Sequence, residues 1–231
     1  MSAARYAIYY APEPGSALAS LGATWLGYDV ASGTAVNQPD LPAVTPEQLR
    51  AITEEPRRYG FHATLKPPFV LAEGRDAALL DAAVAVLAAG FPAFVTPPLR
   101  LARISGFWAL TLSEPCAMLD RLAERCVAEL DAFRAPPSDA ELARRRRARL
   151  TPRHEALLER WGYPYVMEEY RFHMTLTGRL DSEEGEAMGR VLAPFVAPCC
   201  ASPLAIDAIS LFRQDGPDVA FRLVHRYELI G

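Results

Sequence analysis

The stretch Tyr59 to Phe69 reads Tyr-Gly-Phe-His-Ala-Thr-Leu-Lys-Pro-Pro-Phe. As a strand it alternates: Phe61, Ala63 and Leu65 share one face, and His62, Thr64 and Lys66 share the other. One face suits a packed core, while the other offers an imidazole, a hydroxyl and an ammonium in a row. The pattern returns at Tyr170 to Gly178, Tyr-Arg-Phe-His-Met-Thr-Leu-Thr-Gly. There Phe172, Met174 and Leu176 alternate with His173, Thr175 and Thr177, and Arg171 falls on the histidine face.

The surroundings repeat as well. Each His-x-Thr strand precedes a helical pattern: Arg75 to Ala89, stopped by Gly90, after the first, and Ser182 to Phe195 after the second. A proline-containing link and a hairpin follow each time. The hairpin turns fall at Gly106, 44 residues after His62, and at Gly216, 43 residues after His173. Matching order at matching spacing marks a duplicated unit. The remaining helices are expected over Ser16 to Trp25, from the Thr45-Pro46 start to Pro56, over Pro115 to Phe133, and as a pair or one long helix over Ser138 to Trp161, interrupted at Pro152. The first motif strand is expected to close at Pro67-Pro68-Phe69, since two prolines cannot both continue a ladder. The expected fold is α+β: a duplicated, bilobal, single domain over 1–231, with approximate lobes 1–115 and 116–231. It has two antiparallel sheets, helices outside, and a central cleft carrying the two His-x-Thr strands.

Composition narrows the function classes. A chain of 231 residues, 51% apolar and 23% charged, has the makeup of a soluble globular protein. It has no apolar run of membrane-spanning length, and its N-terminus lacks signal-peptide features, so a cytoplasmic location is expected. The four cysteines form no Cys-x-x-Cys pair and read as buried free thiols rather than a zinc or redox site. A net charge of −4 argues against broad nucleic-acid binding but leaves room for a local anion site. Among 24 basic residues the only lysine is Lys66, on the key strand.

Phe61-His62-Ala63-Thr64-Leu65 and Phe172-His173-Met174-Thr175-Leu176 resemble the paired signatures of the two-histidine (2H) phosphoesterase superfamily. That group includes RNA cyclic phosphodiesterases and 2′-5′ RNA ligase-like proteins. The longer string Arg58 to Phe69, with Phe221-Arg222-Leu223, resembles a bacterial branch associated with phosphonate-utilisation operons. The resemblance implies a pseudo-twofold bilobal fold with the motifs facing each other across a cleft, and chemistry without a metal or cofactor. It also implies a small phosphate ester as partner.

The chemistry fits these residues. Opening a cyclic phosphodiester needs a base for water, an acid for the departing oxygen, and donors for the non-bridging oxygens. His62 and His173 suit the first two roles, and Thr64 and Thr175 the third. Lys66, its counterpart Thr177, Arg171 and Arg222 are the candidate substrate-binding groups. The asymmetry between Lys66 and Thr177 hints that the charged side holds the phosphoryl anion. A two-histidine metal site lacks a third ligand on either strand. His225 reads as structural, and His154, after Pro152, as solvent-facing. The run Arg144 to Arg147 reads first as a solvated helix face. A contact with RNA through that run supports an alternative, an RNA 2′,3′-cyclic phosphodiesterase or 2′-5′ ligase-like enzyme. A non-catalytic phosphate-ester binding module is the further alternative. Neither a membrane nor an obligate protein partner is expected.

Overall fold

Alternation along the first strand already separates two environments. In strand β1 (Arg5–Tyr10), Tyr6, Ile8 and Tyr10 enter the main core, whereas Ala7 and Tyr9 join a second cluster with Phe212 and Phe221. The computed structural model, which describes residues 4–231, builds the whole protein on this division. Met1 to Ala3, part of the N-terminus read as lacking a signal peptide, lie outside the described residues.

After β1 come helix α1 (Ala17–Leu26), a small hairpin of β2 (Tyr28–Asp29) and β3 (Thr34–Ala35), α2 (Pro46–Arg57), and β4 (Ala63–Val70). Next are α3 (Ala77–Ala89), the hairpin of β5 (Phe94–Ile104) and β6 (Phe107–Leu112), α4 (Ala117–Glu129), α5 (Asp139–Arg146) and α6 (Pro152–Trp161). The chain closes with β7 (His173–Thr175), α7 (Ser182–Val196), β8 (Pro203–Ile206), β9 (Ala208–Gln214) and β10 (Arg222–Glu228). The expected helices and the two motif strands fall in the expected order, whereas β2, β3 and β8 are not among the elements expected. The local causes are legible: Thr45 and Gln48 close a reciprocal capping box on α2, and Asp76 caps α3. Ser105 and Gly106, both with positive φ, make the two-residue turn between β5 and β6.

The strands lie in the order β10-β9-β1-β4-β7-β6-β5-β8, antiparallel throughout. The two expected sheets are therefore four-stranded halves of one sheet, joined by a single registered pair, Ala63 with Met174. Each half combines strands from both parts of the sequence. β4 lies in the half that holds the β9–β10 hairpin, and β7 in the half that holds the β5–β6 hairpin. A cut near residue 115 therefore does not separate the halves. Helices α1, α2, α3, α4 and α7 contribute Trp25, Leu49, Leu80, Leu122 and Leu192 to one continuous core against the sheet. The opposite face carries the smaller cluster around Tyr9. Among the described residues no helix is long and apolar enough to cross a membrane.

Two strand expectations need correction. β4 does not close at Pro67-Pro68-Phe69 but runs on through both prolines to Val70. Its pairing with β1 slips between Tyr9↔Thr64, Ile8↔Lys66 and Tyr6↔Phe69, so both prolines sit where the ladder is irregular and asks nothing of their missing N–H groups. β7 is only three residues long, because the chain beyond Thr175 leaves to be held by other partners. Leu176 O accepts from Trp25 Nε1 at 2.8 Å, and Gly178 N donates to Ile52 O. All four cysteines are free, as expected, but only Cys126 is buried.

Candidate active site

The pair Ala63–Met174 fixes how the two motifs meet. Antiparallel register carries His62 opposite Thr175 and Thr64 opposite His173 on the same face, so the two imidazoles sit on a diagonal. Directly opposed residues have Cβ atoms about 5 Å apart, and diagonal ones roughly 7–8 Å. The motifs are adjacent strands of one sheet, each histidine faced by the other motif's threonine.

Both rings are anchored in the same way. His62 Nδ1 donates to Gly60 O at 2.9 Å, and His173 Nδ1 donates to Arg171 O at 2.7 Å. A carbonyl can only accept, so Nδ1 carries the proton of the neutral ring and Nε2 is left with its lone pair. The first anchor depends on Gly60, whose φ of +72° suits glycine and whose missing Cβ would fall 1.8 Å from Val30 Cγ1. His62 Nε2 lies 3.3 Å from Thr64 Oγ1, so the motif's own hydroxyl is within hydrogen-bond reach of the ring's free nitrogen.

The two environments differ. His62 lies against Tyr9, ring centroids 3.9 Å apart, with Phe212 and Tyr59 beyond. Burial pushes its pKa down to about 4, against a smaller upward pull from the Gly60 carbonyl and a further lowering by the nearby His173. His173 is also lowered by burial, opposed by the Arg171 carbonyl, and its neighbour is Phe107 at 5.8 Å. Tyr9 was missed in the sequence. Its pairing opposite Thr64 places it on the histidine face, a relation no local pattern encodes.

A cavity of about 370 Å³ opens where β4 and the chain entering β7 separate beyond their single bridge. Thr64, Leu65 and Pro67 line one side, and Tyr170, Arg171 and His173 the other. Ala123 and Val127 of α4 contribute to the lining, as does the β5–β6 turn through Ser105 and Phe107. The remaining wall comes from the segment before β7, including His154, Tyr163, Tyr165 and Glu169, and from Arg179 beyond it. One member of each motif, Thr64 and His173, reaches this lining, and His62 stands one hydrogen bond behind Thr64.

Several expected contributors lie elsewhere. Lys66 is 1% exposed; its ammonium donates to Val127 O at 3.0 Å and stands 3.7 Å from Asp131. The register slip after Thr64 pairs it with Ile8, a core-facing residue, so Lys66 points to α4 instead of the histidine face. Burial lowers its pKa to about 8, partly offset by Asp131. Thr177 is fully buried, accepting from Trp108 N at 3.0 Å and donating to Gly178 O at 2.8 Å. Arg222 is exposed on β10, 3.7 Å from Asp215. The asymmetry between Lys66 and Thr177 therefore belongs to packing, not to the site.

His154 is the opposite case. It was expected to face solvent, yet its side chain is 18% exposed and its Nε2 stands 3.2 Å from Glu169 Oε2 on the cavity wall. His225 is exposed rather than core-packed, and contacts Asp81 at 3.2 Å. The arginine run lies at the end of α5. Arg145 and Arg146 are engaged by Glu141 and Glu155, and Arg145 covers the Tyr163 ring at 4.6 Å. Among the described residues no group of three or more His, Cys, Asp or Glu is arranged to hold a metal ion.

Residues 64–222 match a family model described as protein of unknown function (DUF1045). Two curated relatives are named ribose 1,5-bisphosphate phosphokinase PhnN. One, from Janthinobacterium sp. (strain Marseille), is 43% identical over 225 residues, covering 95% of this chain and 49% of its own. The other, from Laribacter hongkongensis (strain HLHK9), is 37% identical over 221 residues, covering 95% and 50%. The chain thus spans about half the length of the curated relatives it matches. Among solved structures, E. coli LigT complexed with NADP+ aligns over 100% of both chains at 13% identity and a TM-score of 0.46. LigT complexed with 3′-AMP aligns over 100% of both at 12% and 0.43. At those scores neither likeness carries weight. The family match covers well over half of the sequence: the chain belongs to the DUF1045 family, and it sets its two His-x-Thr strands side by side in one sheet.

Proposed function

We propose that this protein is a phosphodiesterase that opens a cyclic phosphate on a small phosphorylated sugar without a metal. The observation that carries the reading is the crosswise pairing of the motifs, with both Nδ1–H groups tied to carbonyls two residues upstream. Two Nε2 atoms are thereby turned to proton transfer from fixed rings, flanked by two hydroxyls on the same face.

His62, the more strongly depressed of the two, is neutral at pH 7 and serves as the base. It takes a proton from water as the water oxygen bonds to phosphorus. The bond from phosphorus to the sugar oxygen breaks on the other side, and His173, entering as the imidazolium, gives that oxygen its Nε2 proton. The products are a phosphate monoester and a free hydroxyl. Bound phosphodiester anion favours the protonated form of the more open His173. Thr64 and Thr175 donate to the non-bridging oxygens, and Arg171 adds positive charge at the mouth.

The named activity of the half-matched relatives supports the choice of substrate. Opening a cyclic phosphate on a ribose that carries a second phosphate yields a ribose with two phosphate monoesters. That is the class of compound named as the phosphokinase substrate, so the two activities would act in succession. A role in phosphonate metabolism accords with this order. RNA as substrate gains no comparable support, since Arg145 and Arg146 are already paired within their own segment.

The test is a turnover screen of ribose cyclic phosphates and 2′,3′-cyclic nucleotides, with His62→Ala and His173→Ala as controls and a chelator present. Hydrolysis that survives the chelator and is lost in both variants is expected. Turnover retained in either variant, or abolished by the chelator, contradicts the reading.

A further inference from the structure

The segment between α5 and β7 has packing of its own. Leu157, Val166 and Val127 form a small separate cluster, flanked by Trp161, Tyr163 and Met167. From this segment one wall of the cavity is built, and it brings an imidazole and a carboxylate, His154 and Glu169, to the lining. His154 Nε2 holds Glu169 Oε2 at 3.2 Å, while the neighbouring Glu168 is taken by Arg153. The His154 ring is fixed edge-on against Tyr165, centroids 5.1 Å apart. Met167, also on the cavity, adopts a left-handed φ of 55°, unusual for a side chain of its size, and so sets the turn that presents Glu169. A carboxylate with one oxygen engaged by an imidazole has its other oxygen free to accept. On the wall of a site for phosphate esters, what such an oxygen accepts from is a neutral hydroxyl, since a second anion would be repelled.

We propose that His154 and Glu169 are specificity-determining residues that bind a sugar hydroxyl of the substrate, with Glu169 as acceptor and His154 as the group that orients it. Arg171 and Arg179, on the same cavity and without an acidic partner among the described residues, attract the sugar's phosphate. The volume suits this class of ligand. About 370 Å³ lies near the lower end of small-molecule sites, enough for one phosphorylated sugar and too little for a strand of nucleic acid. The proposal rests on the phosphodiesterase reading for the reacting end and on this wall for the remainder.

Calorimetric binding separates the two. The probes are ribose 5-phosphate, which carries hydroxyls, and methyl phosphate, which carries none. Wild type is expected to bind the sugar phosphate more tightly. Glu169→Gln should weaken ribose 5-phosphate by about tenfold or more, the scale of one charge-assisted hydrogen bond, and leave methyl phosphate within twofold. His154→Gln should show the same selectivity with a smaller loss. On a hydrolysed ribose cyclic phosphate, Glu169→Gln should raise KM with kcat nearly unchanged. Equal losses on both probes, no loss on either, or no preference for the sugar phosphate in wild type overturn the proposal. Preferential ribose 5-phosphate binding sensitive to Glu169, without turnover of any cyclic phosphate, would sustain it while the catalytic reading fails.

Discussion

The two His-x-Thr strands are alike for three residues and unlike beyond them. Both present a histidine anchored through Nδ1 and a threonine on the same face. After Thr64, β4 slips register and sends Lys66 into the core beneath α4. After Thr175, β7 ends, and Thr177 is consumed by Trp108 and Gly178. The first histidine lies under Tyr9, while the second lines an open cavity. The two copies therefore share their His and Thr pairs and differ in flanks that packing takes up. On the proposed reading, the differing surroundings of the two rings, not the unlike residues Lys66 and Thr177, separate a base from an acid.

The largest effect expected from breaking this symmetry is on the rings themselves. His62→Ala and His173→Ala should each lower kcat by roughly 10³-fold or more, the upper part of the range for general acid–base groups, with Tm little reduced. Thr64→Val and Thr175→Val should cost about 10²-fold in kcat, the scale of one lost oxyanion donor. If the crosswise pairing holds, the two losses should be similar. Next comes Gly60→Ala, which meets Val30 and a positive φ at once and so displaces the carbonyl that holds His62. It should lower kcat by about tenfold or more, and it should also destabilise the protein, read by denaturant unfolding.

A quieter consequence of the same burial is a pH-dependent stability. Between pH 6.5 and about 4 the unfolded chain protonates His62 while the folded protein does not, so stability is full above 6.5 and falls as the pH drops to 4. The loss should be on the order of 3 kcal/mol, and His62→Ala should remove most of that slope in urea titrations, leaving the smaller part due to the likewise lowered His173. The smallest effect on catalysis is expected from Lys66→Met. It removes the only lysine but leaves the site untouched, so kcat/KM should stay within about threefold. Val127 O would lose its donor, costing about 1–3 kcal/mol of stability. A large loss of kcat in a well-folded Lys66→Met protein would return that ammonium to the site.

What was legible in the sequence follows from the range of each signal. Caps, proline positions and period-two alternation are local, so the helices and the four His and Thr positions on the motif strands could be read directly, while the short strands β2, β3 and β8 carry no such signal. The register slip that turns Lys66 inward depends on β1, which lies more than fifty residues away along the chain, and no motif announces it. His154 looked solvent-facing because a helix start with Pro152 ordinarily is; its burial against Glu169 and Tyr165 comes from the return of residues 162–169 across α6. The interleaving of the sheet halves is likewise a matter of which hairpin meets which motif strand, and spacing alone is silent on it.

The central claim is that two anchored imidazoles, one from each strand, act as a unit on a single phosphorus. Comparing His62→Ala, His173→Ala and the double variant on one hydrolysed ribose cyclic phosphate tests it most directly. The account predicts strongly non-additive losses, with the double variant within about tenfold of either single one. Losses that multiply, or a single variant that retains wild-type kcat, would contradict it.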